Sequence, residues 1–182
     1  SLALNAPPTI SASRSSATVA EGATVSIALS AVDPDSSVLR FSASGMPINA
    51  TLNPTTGMFR FDPDYAQSGR RTVTFSVTDE SGDADTISVD IRVTNVDLFH
   101  VRSGARRVAA GETLTVGLAA DDSVPDGITV TATDLPDNAS FDPTARLLTF
   151  APDLTQPGQY SVTFRVTLDG RLAEEHDVTL NV

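Results

Sequence analysis

Apolar residues fall on every second position in several short stretches of the chain. The longest of these stretches are Ala23–Ala31, Thr72–Thr78 and Thr86–Val93. A period of two predicts β-strands that bury one face. Val38–Ala43 and Met58–Phe61 predict two more short strands. No segment carries the apolar period of about 3.6 residues that a helix requires, so the pattern predicts an all-β chain.

Turn-forming residues separate the predicted strands. Asn53–Gly57 lies between Thr51-Leu52 and Met58–Phe61, and this arrangement predicts a β-hairpin. The proline-rich segment Asn5–Pro8 predicts either a linker or the start of an edge strand. About seven short strands with Gly, Pro and Asp between them are typical of an immunoglobulin-like β-sandwich.

The chain contains this pattern twice. Gly45–Asp64 returns as Asp134–Asp153, 89 residues later and without an insertion. About two dozen positions are identical when Gly22–Val93 is aligned with Gly111–Val182. A repeat that preserves both the register and the turn residues indicates a duplicated domain. We therefore predict two tandem β-sandwich domains, residues 1–96 and residues 97–182.

The composition excludes several classes of function. The net charge is −11, with 23 acidic residues against 12 basic ones, and every basic residue is arginine. Nucleic acid is therefore not an expected partner, because phosphate binding requires a basic surface. No stretch approaches the roughly 20 apolar residues of a membrane-spanning helix. The absence of cysteine excludes disulfides and thiolate metal sites.

No motif predicts an active site. His100 and His176 lie at no spacing that a metal centre or a catalytic triad would require. The glycines are isolated turn residues and form no phosphate-binding loop. We therefore expect a protein that is not an enzyme.

Two basic pairs stand out on this acidic chain, Arg70-Arg71 and Arg106-Arg107. One interpretation is that they dock an acidic polysaccharide or the carboxylates of a protein partner. The other is that they are solvated sheet edges that discourage aggregation between sheets. The sequence leaves both interpretations open.

Short motifs of the first domain follow one another in a recognisable order. They are Ala20-Glu21-Gly22, Asp33-Pro34-Asp35, Asn53–Gly57, Phe61–Asp64, Val77-Thr78-Asp79 and Val93–Asp97. This order resembles a cadherin repeat, and more closely the bacterial cadherin-like and "putative Ig" families, including the dystroglycan-type cadherin-like repeat. The resemblance covers nearly the whole chain, once in each domain.

The resemblance implies that Ca²⁺ is bound at the ends of the domains. At the top of the first domain the implied ligands are Asn5, Asp33, Asp35 and Asp79. At its bottom they are Glu21, Asp62 and Asp64, which would face Asn95, Asp97 and the second domain. Calcium takes six to eight oxygen ligands, and an Asp-x-Asp turn can direct two carboxylates at one point. The alternative is that these residues only cap turns through their own backbone amides.

The second copy departs from the upper ligand set. Val124 stands at the position of Asp35, and Leu168 stands at the position of Asp79. Asp122 remains at the position of Asp33, with Asp121 beside it. The sequence therefore predicts a better-supplied calcium site at the top of the first domain than at the junction of the two domains.

These observations predict a non-enzymatic adhesion or spacer module of a larger surface or secreted bacterial protein, with Ca²⁺ stiffening the top of the first domain. We expect it to lie outside the cell and to contact protein or polysaccharide at the cell surface. The alternative is a carbohydrate-binding accessory module of a polysaccharide-degrading enzyme. A third reading is a spacer that binds neither ligand nor metal.

Overall fold

The computed structural model describes residues 5–102, 104, 106–121 and 124–182, and these residues form strands and turns without an α-helix. The chain divides into two compact units, the first ending at Val96 and the second beginning at Asp97. The predicted all-β class is confirmed. The predicted Asp122 lies outside the described residues.

The described residues of unit 1, from Asn5 onward, form eight strands. They are β1 (Thr9–Ala12), β2 (Ser16–Ala20), β3 (Val25–Val32), β4 (Arg40–Ser44), β5 (Ala50–Leu52), β6 (Met58–Phe61), β7 (Gly69–Thr78) and β8 (Ala84–Thr94). One sheet has the order β1-β3-β6-β5, and the other has the order β2-β8-β7-β4. The predicted hairpin is the antiparallel pair β5–β6. The Asn5–Pro8 segment leads directly into β1, which is an edge strand, as one of the two predictions had it.

Both sheets of unit 1 contribute to one apolar core. The alternation predicted for β3, β7 and β8 is observed, because most of their alternating apolar residues are buried and the intervening residues are exposed or half-buried. Phe59 of one sheet meets Phe75 of the other in an edge-on contact, with ring centroids 5.1 Å apart. Rings in this geometry attract each other beyond the effect of their burial.

Unit 2 repeats this architecture. Its strands are β9 (Phe99–Val101), β10 (Leu114–Ala120), β11 (Ile128–Thr133), β12 (Ala139–Asp142), β13 (Leu147–Phe150), β14 (Gln159–Leu168) and β15 (Arg171–Asn181). The sheets have the orders β12-β13-β10-β9 and β11-β14-β15. An isolated parallel bridge between Arg107 and Asn181 stands where unit 1 has the β2–β8 pairing.

The alternation pattern missed strand β2. It pairs in parallel with β8 and buries only Ala17 and Val19. Two small apolar residues in five give little periodic signal, so the strand is recognised only once β8 is present as its partner.

A carboxylate on the last strand anchors the first strand in both units. In unit 1, Asp85 Oδ2 accepts a hydrogen bond from the backbone amide of Ile10 at 2.9 Å. In unit 2, Glu174 occupies the equivalent position, is buried, and accepts from the amides of Leu98 and Phe99. Neither acid was singled out in the sequence, because their partners are more than 70 residues away along the chain.

Candidate metal centre

The turn after β7 is built around the carboxylate of Asp79. Its Oδ1 accepts hydrogen bonds from the backbone amides of Ser81, Gly82 and Asp83 at 2.7 to 2.9 Å. These contacts close the turn between β7 and β8. Asp79 is buried, so its charge is held by the surrounding amides rather than by bulk water.

Asn5 joins the N-terminal segment to this turn. Its side-chain nitrogen donates to Asp79 Oδ2 at 2.7 Å and to Asp83 Oδ2 at 2.8 Å. One amide group therefore bridges two carboxylates. A point between two carboxylates is also the position that a cation would favour electrostatically. The sequence had singled out Asn5 and Asp79. Asp83 was missed as a site residue, although it closes the acidic turn that begins at Asp79.

The Asp-Pro-Asp turn lies at the same end of unit 1. Asp33 Oδ1 caps its own turn by accepting from the amides of Asp35 and Ser36 at 2.9 and 2.8 Å. Asp35 Oδ2 accepts from the backbone amide of Ala6 at 3.0 Å. The turn-cap alternative is therefore correct for one oxygen of Asp33.

The other oxygen of Asp33 is different. Oδ2 is buried and has no hydrogen-bond partner among the described residues. An anionic oxygen left in this state is costly, since buried polar groups are normally paired with a protein group, water or an ion. The free oxygen is thus a donor of the hard type that Ca²⁺ prefers.

The charges at this end of unit 1 influence one another. The backbone amide of Asp35 lowers the pKa of Asp33, whereas the nearby negative charge of Asp79 opposes that shift. The Asn5 amide is the main reason why the pKa of Asp79 is lowered, and the amides of its turn add to the effect. Both carboxyl groups are therefore ionised at neutral pH. Asn5, Asp33, Asp35 and Asp79, the predicted upper set, lie at one end of the unit and are linked by these interactions.

Within the part of the chain that the structure describes, no group of three or more acidic or histidine side chains is arranged to hold a metal by itself. The upper set therefore offers oxygen donors of the right chemistry but not a complete shell. The predicted calcium site remains a prediction.

The predicted lower residue Glu21 is tied into the fold of unit 1. Its Oε1 accepts from the amides of Gln67 and Ser68 at 3.0 and 2.7 Å, and its Oε2 accepts from the amide of Val96 at 3.0 Å. Glu21 is 4% exposed. One buried carboxylate thus holds the loop before β7 and the end of the unit together. Ala110 stands at this position in the second copy and offers no such acceptor.

Asp64 also has a structural partner set, and it is duplicated. Asn49 donates to Asp64 and to Gln67, both at 3.3 Å, and Gln67 accepts from the Asp64 amide at 2.8 Å. The second copy repeats the network with Asn138, Asp153 and Gln156. This recurrence explains why the Gly45–Asp64 stretch and its copy are so alike, since the same hydrogen-bond network shapes the equivalent loop in each unit.

Asp62 pairs with Arg60 at 2.8 Å and also accepts from Thr24. The Arg60 side chain is the main cause of the lowered pKa of Asp62. Asn95 and Asp97 have interactions of their own at the end of unit 1 and the start of unit 2. Glu21 and Asp64 thus accept hydrogen bonds from backbone amides, and Asp62 forms an ion pair with Arg60. The prediction that these three residues bind calcium at the junction remains a prediction.

The two histidines have acidic neighbours. His100 Nδ1 lies 3.3 Å from Asp121 on the exposed side of β9, and His176 Nε2 lies 2.8 Å from the buried Glu174. The first basic pair lies at the start of β7, where Arg70 and Arg71 pair with β8. On the other side of β7, β4 pairs only with Thr74–Thr78, so the sheet-edge interpretation stays open for this pair.

Two family models match the chain. A model described as "Bacterial Ig domain" matches residues 5–92, and a model described as "Putative Ig domain" matches residues 103–182. Both units are immunoglobulin-like domains. These matches confirm the prediction of two tandem domains of the immunoglobulin type. The assignment to the dystroglycan-type cadherin-like repeat stays a prediction. No match was found among curated proteins.

Several solved structures of low sequence identity are similar to the chain. Mouse cadherin-23 EC22-24 is 19% identical over 97% of this chain and 65% of that one, with a TM-score of 0.46. The human desmocollin-1 ectodomain is 15% identical over 96% of this chain and 41% of that one, with a TM-score of 0.41. A putative alpha-galactosidase from Bacteroides fragilis is 17% identical over 50% of this chain and 18% of that one, with a TM-score of 0.41. The chain spans less than two thirds of the length of each of these proteins.

A search of the described residues for a helix long and apolar enough to cross a membrane found none.

Proposed function

We propose that the chain is a non-enzymatic adhesion or spacer module of an extracellular or surface-attached bacterial protein. The support is the presence of two tandem immunoglobulin-like domains, one of which matches a bacterial Ig model. Rigid β-sandwiches arranged in series are suited to holding a binding surface away from the rest of a protein. Contacts with protein or polysaccharide at the cell surface are part of this proposal.

We further propose that Ca²⁺ stiffens the upper end of unit 1. The observation that supports this is the buried, unpartnered Oδ2 of Asp33, which lies at the same end as Asp35, Asp79 and the bridging amide of Asn5. A bound Ca²⁺ would supply positive charge to this end. Asp33, Asp35 and Asp79 would hold the ion through carboxylate oxygens, and water or a neighbouring domain would complete the shell.

In this proposal the residues of unit 1 hold most of this end of the fold together without the ion. Asp79 closes its turn, and Asn5 ties the entering segment to the same carboxylate. An ion that binds only the folded arrangement would add to its stability according to concentration and affinity. Extracellular calcium modules commonly bind with dissociation constants of about 10⁻⁴ to 10⁻³ M.

Thermal unfolding with millimolar CaCl₂ or with EDTA tests the proposal. We expect Ca²⁺ to raise the unfolding midpoint of the wild-type chain and to have no effect on Asp33→Asn/Asp35→Asn. The asparagine at position 33 keeps a side-chain oxygen for the turn amides while the charge is removed. Asp134→Asn/Asp137→Asn in unit 2 is the matched control, because both residues are exposed and the change in charge is the same. An unchanged wild-type midpoint in both solutions would contradict the calcium proposal.

A further inference from the structure

Two arginines face each other on the outer surface of unit 1. Arg70 of β7 and Arg92 of β8 are direct cross-strand partners, and both side chains are exposed. Neither guanidinium makes a hydrogen bond or an ion pair with any residue that the structure describes. Like charges placed directly opposite each other on neighbouring strands weaken a sheet.

The second unit shows that the fold does not need this arrangement. The equivalent partners are Gln159 and Asn181, which also lie directly opposite each other. Gln159 Nε2 donates to Asn181 Oδ1 at 3.1 Å, so the pair in unit 2 is neutral and satisfies itself. The same pair of positions thus carries a self-contained hydrogen bond in one copy and two unpartnered cations in the other.

The surroundings of Arg70 and Arg92 are concave and present both polar and apolar groups. The pair lines two shallow hollows, one on each side. Ser16, Thr18 and Thr72 contribute to the first hollow, and Ser68, Thr94 and Asn95 contribute to the second. No aromatic side chain lines either hollow. The surface therefore lacks the aromatic anchors that usually dominate protein–protein binding, and it presents the hydroxyl and amide groups that suit a polar, hydroxyl-rich ligand.

We propose that Arg70 and Arg92 bind the carboxylate or sulfate groups of an acidic polysaccharide that lies across this face. Each guanidinium presents a planar set of donors that fits a carboxylate or a sulfate with two hydrogen bonds. An anion between the two arginines removes their mutual repulsion, and the flanking hydroxyls receive the sugar rings. This site deepens the adhesive part of the proposed function and is independent of the calcium site.

The acidity of the whole chain does not prevent this binding at moderate salt. At about 0.1 M salt, charges more than about 10 Å away are largely screened. One acid, Asp90, lines the first hollow, and its carboxylate accepts a hydrogen bond from the Thr72 hydroxyl at 2.7 Å. The local balance at the arginine pair therefore remains positive.

Binding of labelled polygalacturonate and of dextran sulfate, measured at about 0.1 M NaCl with EDTA present, tests the proposal. Uncharged dextran and polyglutamate are the comparison ligands. Arg70→Gln/Arg92→Asn installs the pair found in unit 2 and is expected to fold. Arg14→Gln/Arg40→Gln is the matched control, since it removes the same charge from exposed positions of the same unit.

We expect the wild-type chain to bind at least one of the acidic polysaccharides and to ignore dextran. The Arg70→Gln/Arg92→Asn variant should bind about tenfold more weakly or worse, because charge-assisted hydrogen bonds are lost. The control variant should stay within about twofold of the wild type, since its charges lie outside the site. Preference for sulfated or carboxylated polymer identifies which anion the site takes.

Three outcomes would overturn the proposal: absence of binding to both acidic polysaccharides, an equal loss in the two arginine variants, or tighter binding of polyglutamate, which would indicate an acidic protein partner. The Asp33→Asn/Asp35→Asn variant separates the two sites. It should lose the calcium response while it binds the polysaccharide within about twofold of the wild type, so failure of one proposal is distinguishable from failure of the other.

Discussion

The side-chain nitrogen of Asn5 lies 2.7 Å from Oδ2 of Asp79, across 74 positions of the chain. The contact ties the segment that enters unit 1 to the turn between its last two strands. Asn5 contacts Asp83 in the same way, so a single neutral donor holds two negative groups together. This arrangement makes the upper end of unit 1 sensitive to charge.

Acid should destabilise unit 1 partly through Asp79. The Asn5 amide lowers the pKa of folded Asp79 below the ordinary value of about 3.9. A lowered pKa stabilises the folded state above that value, and the contribution is lost as the pH falls through the folded pKa. Asn5→Ala removes the main cause of the shift, so we expect stability to fall less steeply between neutral pH and pH ~3 in this variant. Urea unfolding at several pH values measures the slopes, and equal slopes would contradict the assignment.

Replacing Asn5 by aspartate should make the same end dependent on cations. Asn5→Asp places a third carboxylate against Asp79 and Asp83, and mutual repulsion should lower the unfolding midpoint in EDTA. Millimolar Ca²⁺ should restore most of the loss, because clustered carboxylates are the ligands it prefers. Thermal unfolding with Ca²⁺, Mg²⁺ or NaCl measures the effect. Recovery with NaCl at equal ionic strength would point to screening alone.

Removing Glu21 should be strongly destabilising, although the residue lies in a motif expected to bind metal. Glu21→Ala leaves the amides of Gln67, Ser68 and Val96 without their acceptor. Losing the partner of buried donors costs about 1–3 kcal/mol or more when the partner is charged. Glu80→Ala is the control, because Glu80 is exposed, and it should change stability by no more than about 0.5 kcal/mol. Equal urea midpoints for the two variants in EDTA would contradict the structural role.

Glu174 should protect the first strand of unit 2. Glu174→Ala removes the acceptor of the Leu98 and Phe99 amides, and we expect a loss of about 2 kcal/mol and faster hydrogen exchange at these two amides. Glu112→Ala, at an exposed position in the same unit, serves as the control. Unchanged exchange at Leu98 and Phe99 would show that the carboxylate does not hold β9.

Exchanging the opposed pairs of the two units should move their stabilities in opposite directions. Arg70→Gln/Arg92→Asn should stabilise unit 1 by about 0.2–1 kcal/mol, because the cross-strand repulsion is removed. Gln159→Arg/Asn181→Arg should destabilise unit 2 by a similar amount. Calorimetry of both variants measures the changes. A destabilised Arg70→Gln/Arg92→Asn variant would show that the arginines contribute to the fold rather than to a ligand site.

The acidic motifs illustrate how far local sequence reasoning reaches. Asp33 and Asp79 were singled out from their motifs, and both lie at the predicted end of unit 1. Glu21 and Asp64 were singled out in the same way, yet each carboxylate binds the backbone amides of its own unit. A motif specifies which oxygen donors are present, whereas their partners depend on loops that meet only in the folded chain.

The sequence by itself determined the all-β class, the duplication and most of the strands, because a period of two and a repeated set of turn residues are local properties of the chain. Only the tertiary structure decided that β2 is a strand beside β8, that Asp85 and Glu174 anchor the first strand of each unit, and that Arg70 lies opposite Arg92. Each of these depends on pairing between residues far apart in sequence. Such pairing is set by sheet register and by the burial of both faces together, which no local pattern specifies.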